Sequence, residues 1–143
     1  MMTVREASLR DVEAIWQLNK EVMGYDYPPE KTTGKLEKAL QDPSQCILVA
    51  ELEETVAGYI HLVDYDTLYF PHMKNVLALA VLPAYRRGGA ASALLAEGER
   101  WARETGAAGI RLVSGAQREG AHACYRKNGY EEIKLQKNFR KLF

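Results

Sequence analysis

The apolar residues of this chain come in runs whose period changes from segment to segment. Residues 3–6 predict a short strand. Ser8 stands where a helix N-cap belongs, with Asp11 three residues on as a capping-box acid. Val12, Ile15, Trp16, Leu18, Val22 and Met23 then recur at helical spacing, which predicts a helix with a broad apolar face ending near Gly24. Pro28 and Pro29 break the chain before a polar helix over 30–40, and Asp42-Pro43-Ser44 marks a turn. Residues 45–52 are continuously apolar with β-branched content, a buried strand. Residues 56–64 alternate loosely behind the polar turn Glu53-Glu54-Thr55, so the two runs predict a hairpin. An irregular aromatic stretch, 65–74, leads to the apolar run 76–81, read as the central strand. Beyond Pro83, one helix face collects Ala91, Leu94, Leu95, Gly98, Trp101 and Ala102, while Glu99 and Arg103 are spaced to pair on another; Gly106 suits a C-cap. A strand over 110–113, a helix over 119–127 stopped by Asn128-Gly129, and a last strand over 130–140 complete the series. In that last strand Ile133, Leu135 and Phe139 lie at period-two spacing. Lys134, Lys137, Arg140 and Lys141 would form its charged, solvated edge. The order β-α-α-β-β-β-α-β-α-β predicts an α/β (α+β) fold, a mixed sheet with helices on its faces.

Length and charge narrow the function classes. The 143 residues suit a single domain, 1–143, that buries a core without staples. Nineteen basic and nineteen acidic side chains cancel, so no global field favours nucleic acid or an acidic membrane surface. No apolar run reaches membrane-spanning length, and the start Met1-Met2-Thr3-Val4 lacks an apolar secretion segment, so a cytoplasmic location is expected. Cys46 and Cys124 are far apart and have neither metal-ligand nor redox-pair spacing; Cys46 reads as core.

The chemistry concentrates where the strand over 76–81 meets the following helix. Leu82-Pro83 ends the strand, Arg86-Arg87-Gly88-Gly89 follows, and the helix begins without a break. Glycines lacking a Cβ let the backbone approach a ligand. The first helical N–H groups, at Ala90, Ala91 and Ser92, lack intrahelical partners and sit at the positive dipole end. A phosphate or pyrophosphate fits such a turn, with Arg86 and Arg87 adding charge. The plain alternative is a tight turn with two solvated arginines. No Gly-Lys-Ser/Thr closes the loop, and the spacing is not G-x-G-x-x-G, which excludes the nucleotide-triphosphatase and dinucleotide types.

The run Arg86-x-x-Gly89-x-Ala91 resembles the Gln/Arg-x-x-Gly-x-Gly/Ala signature of the GNAT N-acetyltransferase superfamily. Downstream, Arg118-Glu119-Gly120-Ala121-His122-Ala123-Cys124-Tyr125-Arg126-Lys127-Asn128-Gly129-Tyr130 is similar to that family's Asn-x-x-Ala-x-x-Phe-Tyr-x-x-x-Gly-Phe landmark at Ala121, Tyr125, Gly129 and Tyr130. Arg118 replaces the usual Asn and Cys124 the usual Phe, so the Asn contact to cofactor is missing; Arg118 could reach a phosphate instead. The resemblance implies a GNAT-like, mostly antiparallel sheet and acetyl-CoA as acyl donor. Its pyrophosphate would be held by Arg86, Arg87, Gly88, Gly89, Ala90, Ala91 and Ser92. It also implies main-chain contacts from Leu79, Ala80 and Val81 to pantetheine and thioester, and Tyr125 as proton donor to the departing thiolate.

An amine must lose a proton before attack. The strand over 75–81 carries no carboxylate to take it. Glu21, His61, Asp64, Asp66 and His72 remain as candidates; His61 has the most suitable intrinsic pKa, but a lone strand histidine is as readily a packed or surface residue, so no base is named, and orientation with water is the alternative. No Cys or Ser nucleophile stands beside a base, so transfer would be direct within a ternary complex. Tyr25, Tyr27, Tyr65, Tyr69 and Phe70, interspersed with acids, would either wall a cationic acceptor or simply pack loops. The expected reaction is acetyl transfer to a primary amine, in a small molecule or a peptide, by a possible homodimer. A non-catalytic acyl-CoA-binding or regulatory module and a purely structural domain are the rivals.

Overall fold

In the computed structural model, which describes residues 1–143, the chain separates into two units, Met1–Val113 and Ser114–Phe143. The first unit contains β1 (Met2–Glu6), α1 (Val12–Glu21), α2 (Pro29–Leu40), β2 (Gln45–Leu52), β3 (Thr55–Tyr65), β4 (Met73–Val81), α3 (Ala90–Glu104) and β5 (Gly109–Leu112). The second contains α4 (Glu119–Lys127). Short 3-10 turns at Leu9–Asp11 and Pro83–Gly88 lead into α1 and α3.

The sheet runs β1-β2-β3-β4-β5, antiparallel except for the last pair. β3 occupies its middle; β4, expected there from its apolar run, lies second from the edge. The strand expected over 130–140 is absent: no regular element follows α4, and Ile133, Leu135 and Phe139 are each at least 80% exposed. Period-two spacing makes that segment able to pair, but pairing needs a neighbouring strand. On α3, Arg100 bridges Glu97 at 2.7 Å and Glu104 at 3.4 Å.

Apolar side chains decide which helix covers which face. Leu18 and Ile15 of α1 and Leu36 and Ala39 of α2 pack with Ile47, Val49, Tyr59 and Ala80. On the other face Gly98 of α3 lies against Leu62 and Ile60, where an added Cβ would meet Leu62 at 3.1 Å. Leu94 and Leu95 complete that side, both fully buried. The β2–β3 hairpin closes through Glu53 and Glu54 at φ 50° and 68°, a left-handed turn made without glycine.

One bulge sets the rest. Leu62 pairs with Val76 and His61 with Ala78, so Leu77 has no partner on β3 and its side chain is exposed. The extra residue reverses the alternation of β4. Lys74 and Val76 turn towards the α3 side, whereas Ala78 and Ala80 face α1 and α2. Lys74 is thereby buried. Its Nζ lies 2.5 Å from Asp64 on β3 and 4.2 Å from the Trp101 ring centroid. Both contacts offset the desolvation of the charge.

At the other edge, Arg5 of β1 binds both Asp11 oxygens at 2.9 Å and Glu51 at 3.0 Å. The Ser8 N–H also donates to Asp11, at 2.8 Å, so the expected capping acid serves an ion-pair network as well. Burial alone would raise the Asp11 carboxyl, but Arg5 and the Ser8 N–H together hold it below the usual carboxylate range. A carboxyl depressed in the folded state contributes stability above its unfolded pKa and loses it as pH falls through the folded one. The melting temperature should therefore drop below about pH 4. Asp11→Asn should cost about 2–3 kcal/mol at neutral pH, because it removes the charged, bidentate partner of Arg5 and leaves Glu51 as its one carboxylate. Chemical denaturation checks both; an unchanged midpoint in the variant would remove the pair from the stability of the fold.

Candidate functional site

Leu79 to Ser92 form one continuous strand–turn–helix segment. β5 pairs with β4 only from Met73–Gly109 to Val76–Leu112, so beyond Val76 the outer edge of β4 has no neighbouring strand. The Leu82 N–H donates to the Ala57 carbonyl on β3 at 2.8 Å. Main-chain groups alternate along an antiparallel strand, so those of Leu79 and Val81 point away from β3, into the open edge. Ala80, also expected among the ligand contacts, is instead turned to β3 by its backbone and into the core by its side chain. Gly58 allows β3 to lie this close to β4, since a Cβ there would meet the Ala80 carbonyl oxygen at 2.7 Å.

The turn has the geometry of a cradle. Gly89 adopts φ +80° and caps α3 with no side chain over the helix end. Its carbonyl accepts the Ala93 N–H at 2.9 Å, which leaves the N–H groups of Ala90 and Ala91 ahead of the first helical bond. An added Cβ at Gly88 or Gly89 would meet nothing within 4 Å, so the space before the helix is clear. Arg87 is exposed. Arg86 is exposed too, but its Nε donates to the Val81 carbonyl at 3.3 Å, tying the turn to the outward-facing strand end. Ser92 lies in the first turn of α3, half-buried.

Tyr125 and Arg118 belong to the second unit. Arg118 occupies the N-cap of α4, and its N–H donates to Gly115 at 3.0 Å. Gly129, at φ +89°, ends the helix and lets Tyr130 turn back. The Tyr130 N–H donates to the Tyr125 carbonyl at 2.9 Å, and the two rings lie 6.2 Å apart. The Tyr-x-x-x-Gly-Tyr spacing thus has a local physical cause. Burial, then the neighbouring Cys124, pushes the Tyr125 hydroxyl up, so it stays protonated at neutral pH. That state can give a proton and cannot take one.

Four of the five candidate bases, His61, Asp64, His72 and Glu21, have partners of their own, and Asp66 is exposed. His61 is partly buried, with Nε2 2.8 Å from Gln45 Oε1, and burial pushes its pKa down. Asp64 takes Lys74 at 2.5 Å and His72 at 3.4 Å. Glu21 accepts from Gln17 on α1. The Cys46 thiol is pushed up to about 11 by burial and is no nucleophile. Sequence reading missed Lys74 and the Asn75–Arg111 pair, where Arg111 Nη1 donates to Asn75 Oδ1 at 2.8 Å. A positively charged residue inside an otherwise apolar strand was the only available signal.

A family model described as the acetyltransferase (GNAT) family matches residues 11–130. An uncharacterized N-acetyltransferase, YhfO, of Bacillus subtilis is 28% identical over 92% of this chain and 91% of its own length. An N-alpha-acetyltransferase of Sulfolobus acidocaldarius is 24% identical over 95% of this chain and 83% of its own. Among solved structures, AAC(6')-Iy in complex with a bisubstrate analog superposes with a TM-score of 0.88 at 19% identity. That match covers 100% of this chain and 99% of the other, a likeness of fold.

The two glycines of the turn should behave differently. Gly89→Ala should cost about 1–2 kcal/mol, because φ +80° is strained for any residue with a Cβ. Gly88→Ala, with no positive φ and open space ahead, should stay within about 0.5 kcal/mol of wild type. Equal losses in a paired denaturation experiment would contradict the left-handed cap.

Proposed function

This chain belongs to the acetyltransferase (GNAT) family and is an acetyl-CoA-dependent N-acetyltransferase; we propose that the segment Leu79–Ser92 binds the donor and that Tyr125 serves the departing sulfur. The observation carrying this reading is the strand edge without a neighbour, running straight into a glycine-capped helix start. An extended amide-rich arm can add to such an edge as a strand does, through main-chain hydrogen bonds. The Leu79 groups and the Val81 N–H suit pantetheine, the Val81 carbonyl already accepting from Arg86, and the Ala90 and Ala91 N–H groups with Arg87 suit the pyrophosphate. Arg86, held on Val81, fixes the angle between the two. Ser92 and Gly88 belong to the same cradle by position.

In the reaction, the free amine attacks the thioester carbonyl carbon while a β4 N–H at the bulge stabilises the oxygen as it gains charge. The C–S bond then breaks, and Tyr125 donates its proton to the thiolate. The support for Tyr125 is its motif position and its protonated state. With His61 and Asp64 engaged elsewhere, the acceptor amine loses its proton to water in this reading. The acceptor is a primary amine, of a small molecule or a peptide. The non-catalytic alternative has no observation in its favour.

Isothermal titration with acetyl-CoA is the direct test. Binding should appear in the micromolar range; none at near-millimolar concentration would overturn the donor site. Tyr125→Phe should lower kcat at least about tenfold with an unchanged donor Kd. In the wild type, no loss of kcat from this hydroxyl is expected below about pH 10. Full turnover in the variant would remove Tyr125 from the mechanism. A homodimer is part of the same proposal: Ile133, Leu135, Phe139, Leu142 and Phe143 are each more than three-quarters exposed, apolar surface that a second copy would cover. Sedimentation as a monomer at tens of micromolar would exclude it.

A further inference from the structure

The fork where β4 and β5 part carries an arginine that neither the fold nor the donor site uses. Arg111 stands on β5 opposite Asn75 on β4, one pair before the last, Val76–Leu112. Its guanidinium lies 4.5 Å from the centroid of the Tyr65 ring, and Nη1 donates to Asn75 Oδ1 at 2.8 Å. These contacts fix the plane of the fork and leave most of its N–H groups without a protein acceptor. Arg111 is only half-buried, so those groups are reachable from solvent.

The electrostatic contrast is with cations elsewhere in the fold that have carboxylate partners. Lys74 is neutralised by Asp64, which also takes His72. Arg5 has Asp11 and Glu51, and Arg100 has Glu97 and Glu104. Arg111 is oriented just as firmly by groups that carry no charge. A pinned guanidinium with a free edge matches the planar, bidentate geometry of a carboxylate. One uncompensated positive charge suits a monoanion better than a phosphate dianion.

We infer that Arg111, positioned by Asn75 and Tyr65, binds a carboxylate on the acetyl acceptor. The inference rests on the donor reading above. It also sets a length. A strand rises about 3.3 Å per residue, so Asn75 lies about 7 Å from the bulge at Leu77 and about 13 Å from Leu79. The acceptor class is therefore a primary amine whose carboxylate lies about 7–13 Å away, as in a long ω-amino acid or a short peptide with a free C-terminus. A phenylalanine-sized aromatic wall from Tyr65, Tyr69 and Phe70 flanks the approach, the last two being exposed.

The test uses the full chain with acetyl-CoA and measures thiol release for matched acceptors: 6-aminohexanoate against 6-aminohexanamide, triglycine against triglycinamide, and 6-aminohexyl phosphate. The acids should exceed their amides at least about tenfold in kcat/KM, through KM. Arg111→Gln should abolish that preference while leaving the Kd for coenzyme A unchanged. Equal use of acid and amide, or a preference for the phosphate, overturns the inference and leaves the donor reading intact. Loss of coenzyme A binding in the wild type sinks the donor reading itself. Should no acceptor turn over, the Arg111 Nε–H resonance decides. It should shift on titration with 6-aminohexanoate, in the presence of coenzyme A, and not with the amide; no shift with either overturns the inference.

Discussion

Everything distinctive about this molecule follows from the separation of β4 and β5 after Val76. A strand with a neighbour on each side has no main-chain groups to spare, and a strand with one open edge must satisfy them with water or a guest. Here the open edge spans only the residues between the bulge and Pro83. It is bounded below by the last β5 pair and above by the start of α3. The edge is thus too short to invite sheet-to-sheet aggregation, yet long enough to hold an extended ligand. Gly58 maintains it from behind, since even a methyl group there would push against the Ala80 carbonyl.

The regular parts of the fold were legible because their causes are local. Gln45–Leu52 is an uninterrupted apolar run, and Glu119–Lys127 stops at Asn128-Gly129; both boundaries match the sequence reading. The left-handed turn was legible for the same reason, since Gly89 and the helix start are adjacent in the chain. The bulge was not, because it is a property of two strands in register and Leu77 looks like any other apolar residue. The burial of Lys74 was hidden because Asp64 and Trp101, which make it tolerable, lie ten residues before and twenty-seven after it. Residues 130–140 show the opposite failure. Alternation states which face a strand would present, not whether another strand is there to receive it.

Charge is distributed to keep the two kinds of site apart. Lys74 and Asp64 compensate one another on the α3 side of the sheet, while Arg111 and Asn75, one residue away on β5 and β4, project to the opposite face. Adjacent positions on a pleated strand always diverge in this way. The buried ion pair therefore supports the strand beneath the fork without neutralising its arginine. The thiol of Cys46, held protonated by burial, adds no competing reactivity.

The surplus residue at Leu77 makes β4 two reading frames spliced end to end. Removing that one amino acid would let the ladder to β3 run unbroken, but only by rotating one half of the strand through 180° about its own axis. Either Lys74 would trade places with Asn75, stranding an ammonium among α1 and α2, or Ala78 and Ala80 would leave their packed layer. Deletions at this point are therefore barred by geometry, whereas equally short deletions in the exposed loop around Leu68 meet no such obstacle.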